Sequence, residues 1–219
     1  MRGLVGLVAG ILLFAIGGMD AEGKVYTYKE TKGDRSVVFS WELEKGDRIR
    51  VTVRREDERF VNILDASGAT WGWEVHRPRE SLVARREGNA IFLAGQRKGE
   101  AVRKEISIDE APWYQPLSYS LGKFSGSDRE EVEFWIVRPD KLSPVRMRAE
   151  KKGVEEISLG GSDVKARKVR VSLDGMLSKL WHAHCWYRAE DGIFLQYEGR
   201  NGPPGTPVTR IRLLKDSES

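Results

Sequence analysis

The stretch VVFSWELEKGDRIRVTVR, residues 37–54, decides the fold. Val37, Phe39, Trp41 and Leu43 alternate with Val38, Ser40 and Glu42; Ile49, Val51 and Val53 alternate with Arg48, Arg50, Thr52 and Arg54. Successive side chains on a strand point to opposite faces, so each run reads as a half-buried strand with one wet face. Glu44 to Asp47, with a glycine among three charges, is the hairpin between them.

The same period continues outward. Residues 60–65 and 70–76 flank Ala66, Ser67, Gly68 and Ala69 as a second hairpin. Further strands are expected at 81–86, 90–94, 101–108, 131–138, 144–151, 154–159, 164–173, 181–188, 193–198 and 208–214, with the Gly-Pro-rich 199–207 as a loop. Many short strands divided by turn signals give a mainly β chain, a strongly curved antiparallel sheet in the form of a half-barrel or open barrel. One segment breaks the rhythm. In DEAPWYQPLSYSLG, residues 109–122, and just beyond it, Trp113, Leu117, Leu121 and Phe124 recur at helical spacing. Asp109 and Glu110 suit a helix start, Pro116 marks where the regular part begins, and Gly122 should end it. A lone amphipathic helix has to bury its stripe, and the concave face of the sheet is the expected dock. Residues 174–180 should add a helical turn.

The first residues set the compartment. Arg2 precedes the apolar run LVGLVAGILLFAI at 4–16, followed by Gly17, Gly18, Met19, Asp20 and Ala21. That order is a cleaved secretory signal peptide, and the run is shorter than the roughly 20 residues of a membrane span. The expected organisation is a signal peptide at 1–21 and a single β-rich domain at 22–219, periplasmic and not integral to the membrane after cleavage. Cys185 is the only cysteine, so no intrachain disulfide can form and packing must hold the domain together.

The net charge of +4 excludes little by itself. Its pattern says more: Arg48, Arg50, Arg54 and Arg55 stand beside Glu56, Asp57 and Glu58, and Lys151 and Lys152 beside Glu150. Interleaved signs read as solvated strand faces, not as the uncompensated stripe of a nucleic-acid binder, so no nucleic-acid partner is expected.

Chemistry-bearing motifs are sparse. His182 and His184 are two apart and share a strand face, where they could chelate a metal with His76, the only other histidine, as third ligand. Two structural histidines in an aromatic strand is the simpler reading, and no metal or cofactor is expected. Cys185 points to the opposite face from His184, so the two cannot pair as nucleophile and base. There is no G-x-S-x-G elbow, P-loop or dinucleotide fingerprint, and the acid pairs sit at turns. No catalytic residue is nominated.

The strongest signal is aromatic. Seven tryptophans, Trp41, Trp71, Trp73, Trp113, Trp135, Trp181 and Trp186, either fill the core beneath a curved sheet or line a cavity. Trp71 and Trp73 are expected on one strand face with Val75.

Taken together, the export signal, the hairpins, Trp113-Tyr114-Gln115-Pro116-Leu117, Glu133-Phe134-Trp135, the strand from Trp181 to Tyr187 and Tyr197-Glu198-Gly199 resemble exported bacterial proteins carrying a domain of unknown function. Their half-barrel resembles the periplasmic lipoprotein carriers. The resemblance implies a curved sheet and a helix around an acyl chain, and it transfers no catalytic residue.

The leading expectation is therefore a noncatalytic periplasmic binding protein for an apolar or amphipathic, lipid-like envelope ligand. Its expected lining is Phe39, Trp41, Trp71, Trp73, Trp113, Leu117, Leu121 and Phe134. The alternatives are a structural or interaction protein with a filled core and an envelope protein partner, and a metal-dependent enzyme built on His182 and His184.

Overall fold

The computed structural model describes residues 23–175, 181–200 and 205–216. The expected signal peptide at 1–21 and most of the expected turn at 174–180 lie outside the described residues.

Fourteen antiparallel strands form one sheet. They are β1 (Lys24–Lys32), β2 (Arg35–Lys45), β3 (Ile49–Arg55), β4 (Glu58–Leu64), β5 (Thr70–Arg77), β6 (Glu80–Glu87), β7 (Ala90–Arg97), β8 (Glu100–Ser107), β9 (Glu131–Arg138), β10 (Ser143–Leu159), β11 (Ser162–Leu173), β12 (His182–Arg188), β13 (Phe194–Arg200) and β14 (Val208–Asp216). Helix α1 (Leu117–Ser125) interrupts the series between β8 and β9. The spatial order runs from β8 down to β1, then from β14 down to β9. Strands consecutive in the chain are neighbours in the sheet except at two places: β1 pairs with β14, and the chain crosses from edge strand β8 to edge strand β9 through the helix. The sheet does not close, and a half-barrel describes it.

Two expectations about strands change. β1 was not expected: its inward residues are Tyr26 and Tyr28, separated by Thr27 and followed by charges, a weak apolar period that only pairing with β2 and β14 stabilises. The strands expected at 144–151 and 154–159 are one strand, β10, bulged between Lys151 and Val154 with Gly153 at φ +96°. The bulge lets the end of the β10–β11 hairpin pack Ile157, Leu159 and Val164 against Trp186 and Leu195, on the sheet face opposite Cys185 and Tyr187.

The main core joins Tyr28, Trp41, Leu43, Val51 and Leu64 to Phe134, Val169, Cys185 and Tyr187, and takes in Tyr119, Leu121 and Phe124 of α1. A second cluster continues along β5 to β8 and takes in Trp113, Val137 and Leu142. Phe134 and Val137 have opposite strand parity, so the edge strand β9 is buried on both faces, one in each cluster. Overlap of the sheet's two ends thus replaces hydrogen-bonded closure.

The crossing segment completes the seal. Trp113 bridges Trp135 in parallel, Tyr114 N–H donates to Trp135 O at 2.8 Å, and Thr70 N–H donates to Trp113 O at 2.7 Å. Gln115 extends this ladder with its side chain, accepting from Val137 N–H at 2.9 Å and donating to Val137 O at 2.9 Å. Arg86 clamps the same segment by donating to the carbonyls of Asp109 and Ala111, while its Nε donates to Gly88 O in the β6–β7 turn.

The helix starts after Pro116, as its position suggested, but Gly122 lies inside it. The reason is contact: a Cβ at Gly122 would stand 2.3 Å from Gly192 O in the β12–β13 turn. Glycine lets the helix touch that backbone, and the helix goes on to Ser125. Trp113 is extended and outside the helix, so it does not share the helical stripe.

Candidate functional site

Helix α1 is tied down on several sides. Ser120 Oγ donates to Gly68 O at 2.7 Å, Tyr187 Oη donates to Leu117 O at 2.9 Å, and the Trp41 and Tyr119 rings stand 6.4 Å apart. These contacts set α1 against β2, the β4–β5 turn and β12. Trp41, Trp73, Trp113, Leu121 and Phe134 are all buried in well-filled clusters. Phe39 stacks on Tyr28 with centroids 5.5 Å apart. Trp41 Nε1 and Asn62 Oδ1 are the polar exceptions on this face, both buried without a hydrogen-bond partner.

Trp71 stands elsewhere. A bulge at the Ile63–Leu64 step shifts the β4–β5 register, with Ile63 opposite Gly72 and Leu64 opposite Thr70. Trp71 is thereby turned away from Trp73 and Val75 and lies between the guanidinium groups of Arg48 and Arg85, at 4.3 Å and 4.4 Å. Period-two reading put it with Trp73; one extra residue reverses its face.

An apolar cleft of about 720 Å³ opens beside the first turn of α1. Leu117, Ile136, Val145, Met147, Leu173 and Trp181 form its walls, with Arg138, Asp140 and Gln115 at the polar margin. Of the eight expected lining residues, Leu117 alone reaches it. Sequence reasoning missed the others although a signal existed: Val145 and Met147 alternate on an expected strand. What was hidden is the register, which sets Val145 opposite Ile136 and Met147 opposite Phe134. The volume lies within the roughly 300–1,000 Å³ of small-molecule sites, and an apolar wall with few polar groups suits the hydrocarbon part of a ligand.

The margin of the cleft is held by charge. Arg138 makes a double contact to Asp140, and hydrogen bonding from that guanidinium keeps the Asp140 carboxyl below the ordinary carboxylate range. Nearby, Arg146 contacts Asp109, Glu133 and Asp174 and lies over the Trp135 ring at 5.5 Å.

Catalytic groupings fare differently. His182 and His184 share a face, with ring centroids 5.6 Å apart, and burial, then Lys168, lowers the His184 pKa. His76 sits on β5 beside Glu74, with six strands between it and β12 in the sheet, so it does not complete the pair. Among the described residues no three His, Cys, Asp or Glu side chains are grouped to hold a metal ion. Cys185 lies in the main core, where burial pushes its thiol pKa up to about 12. No helix among the described residues is long and apolar enough to cross a membrane.

Comparison with solved structures agrees with this architecture. The chain is similar to the β-barrel-like protein of domain of unknown function DUF1849 from Brucella abortus, at 11% identity and a TM-score of 0.60, over 90% of this chain and 98% of that one. The hypothetical lipoprotein YmcC from Escherichia coli (K12) superposes with a TM-score of 0.40 at 8% identity, over 90% and 86% of the two chains. A LolA superfamily protein from Nitrosomonas europaea gives 0.27 at 8% identity, over 90% and 85%. The likeness is one of fold and rests on the Brucella protein; the other two superpose too loosely to add to it. No family model and no curated protein matches the chain.

Proposed function

We propose that the protein is an exported, noncatalytic binding protein of the bacterial periplasm that holds the apolar part of an amphipathic envelope ligand in the cleft beside Leu117. In this reading α1 docks on the concave face of the half-barrel as a plug, and its first turn leaves a space that the sheet alone would leave too wide. The observation that carries the proposal is the cleft itself, about 720 Å³ with Ile136, Val145, Met147, Leu173 and Trp181 facing Leu117. Burying such walls under a hydrocarbon chain contributes roughly 25 cal/mol per Å² of apolar surface removed from water. Titration with a fluorescent fatty acid tests it: saturable binding to the wild type, lost on Val145→Trp, is expected. Equal binding by both proteins, or none by the wild type, would falsify the reading.

A second reading, an interaction protein of the envelope, is favoured by one specific feature. Strand β8 is an edge with no strand partner beyond β7 among the described residues, and Phe92 on β7 and Val83 on β6 are exposed. Crosslinking in cells from Arg103→Cys should then capture one dominant protein. A diffuse pattern counts against it.

A further inference from the structure

The rim formed by the β5–β6 and β7–β8 turns holds a second cavity, of about 570 Å³, with Arg77, Arg79 and Lys98 in its wall. Glu80 is the single carboxylate there, and it is already compensated: Arg97 Nε lies 3.1 Å and Arg77 Nη1 3.7 Å from it. Ser81 and Gln96, paired across β6 and β7, add neutral hydrogen-bonding groups. Arg77 is held in place by Glu58, 3.1 Å from its Nε, and by the Phe60 ring, 4.9 Å from its Cζ.

Arg79 and Lys98 are different. Both are exposed, and among the described residues neither forms an ion pair; Lys98 N–H donates to Arg79 O at 2.7 Å, which joins the two turns. Their φ values are +63° and +55°. Tight hairpin turns favour glycine or asparagine in that conformation, and the β3–β4 turn holds Glu56 there too, at φ +51°.

Arg97 connects this cavity to the apolar cleft. While its Nε faces Glu80, Nη1 and Nη2 donate to the carbonyls of Asp140 and Pro139, at 3.2 Å and 2.5 Å, and both of those residues line the cleft. One guanidinium thus links lining residues of both cavities.

We infer that Arg77, Arg79 and Lys98 form a binding site for a phosphate-class anion, and that its placement selects anionic amphiphiles whose chain lies in the neighbouring cleft. The second half rests on the cleft reading above; the first does not. Guanidinium groups suit a phosphate because their planar N–H pairs match its oxygens, and Arg79 and Lys98, without an ion pair among the described residues, gain most from an anion.

Calorimetry with dodecyl phosphate and uncharged dodecyl glucoside, both below micelle-forming concentrations, tests the inference alongside inorganic phosphate alone. The variant is Arg79→Gly/Lys98→Gly, which suits both backbone conformations and so preserves the fold. Dodecyl phosphate should bind the wild type about tenfold more tightly than the glucoside, the scale of one charge-assisted hydrogen bond. In the variant the ratio should fall within about twofold, with the glucoside unaffected. Equal binding of the two by the wild type, or a preference that survives in the variant, overturns the anion site. If neither amphiphile binds, the cleft reading falls, and inorganic phosphate decides the anion site. Saturable shifts of the Arg79, Ser81 and Lys98 amides uphold it; their absence overturns it. Inorganic phosphate binding as tightly as dodecyl phosphate overturns the coupling to the cleft and leaves a free anion as the ligand.

Discussion

Replacing Gly122 by alanine sets two opposing effects against each other, and the structure decides the sign. In an isolated helix the change is favourable by about 1 kcal/mol, because glycine loses more backbone freedom on folding. Here the new methyl would stand 2.3 Å from Gly192 O and 3.3 Å from Tyr187 Cδ1. The nearer obstacle is backbone, which cannot rotate aside. To reach even the 3.0 Å limit of real contacts, helix and turn must separate by about 0.7 Å. That movement also strains the Tyr187 to Leu117 hydrogen bond and the packing of Leu121 and Phe124. Overpacking costs about 1–3 kcal/mol, and an obstacle that is backbone puts this case in the upper part of that range, about 2–3 kcal/mol, so the net change is a loss of about 1–2 kcal/mol. Urea unfolding followed by tryptophan fluorescence measures it, and Tm should drop by about 2–8 °C for a domain of this size. Gly126→Ala is the control, since a methyl there meets nothing closer than 3.8 Å at φ −88° and should be neutral or mildly stabilising. A gain of about 1 kcal/mol in Gly122→Ala would mean that the helix does not touch the β12–β13 turn, and the cleft beside Leu117 would go with it.

Other expectations follow from single contacts. Cys185 should not react with a thiol reagent at pH 8 in the native protein and should react at once in denaturant, because burial holds its pKa near 12; native reactivity would contradict the packed core. Arg86→Met should lose about 2–3 kcal/mol in denaturant unfolding, since three backbone carbonyls lose a charged donor, and a change under about 0.5 kcal/mol would show that the clamp is not made. Stability should fall in acid. The Trp135 indole and the Ala111 amide hold Asp109 below the usual carboxylate range, and Arg146, then Arg148, do so for Glu133. Groups depressed on folding contribute stability that is complete above their unfolded values, near pH 4, and lost as pH drops through the folded ones. Asp109→Asn/Glu133→Gln should flatten the acid limb of the unfolding curve, and an unchanged limb would refute the assignment.

The strand pattern was legible because a period of two survives wherever one face is wet, as it does from Val37 to Arg54. It failed at β1, where tyrosines and charges carry the strand and its partners come from opposite ends of the chain. The helix start was legible in Pro116, whereas its end was not: Gly122 is inside because of Gly192, 70 residues away in sequence and invisible to any local rule. The aromatic lining shows the same limit. Composition named rings that are large and inward, but filling and lining a cavity demand the same residues. Only the register between β9 and β10 and the position of α1 separate the filled part, around Trp41 and Phe134, from the open part, around Val145 and Trp181. For the basic rim there was no local signal, since Arg77, Arg79 and Lys98 converge through two different turns.

Native mass spectrometry of the protein isolated from its own envelope, compared with a Val145→Trp variant prepared in the same way, tests the central claim most directly. The account predicts an amphiphile-sized added mass on the wild type that is absent from the variant. The bare protein mass in both, or the same added mass in both, would contradict it.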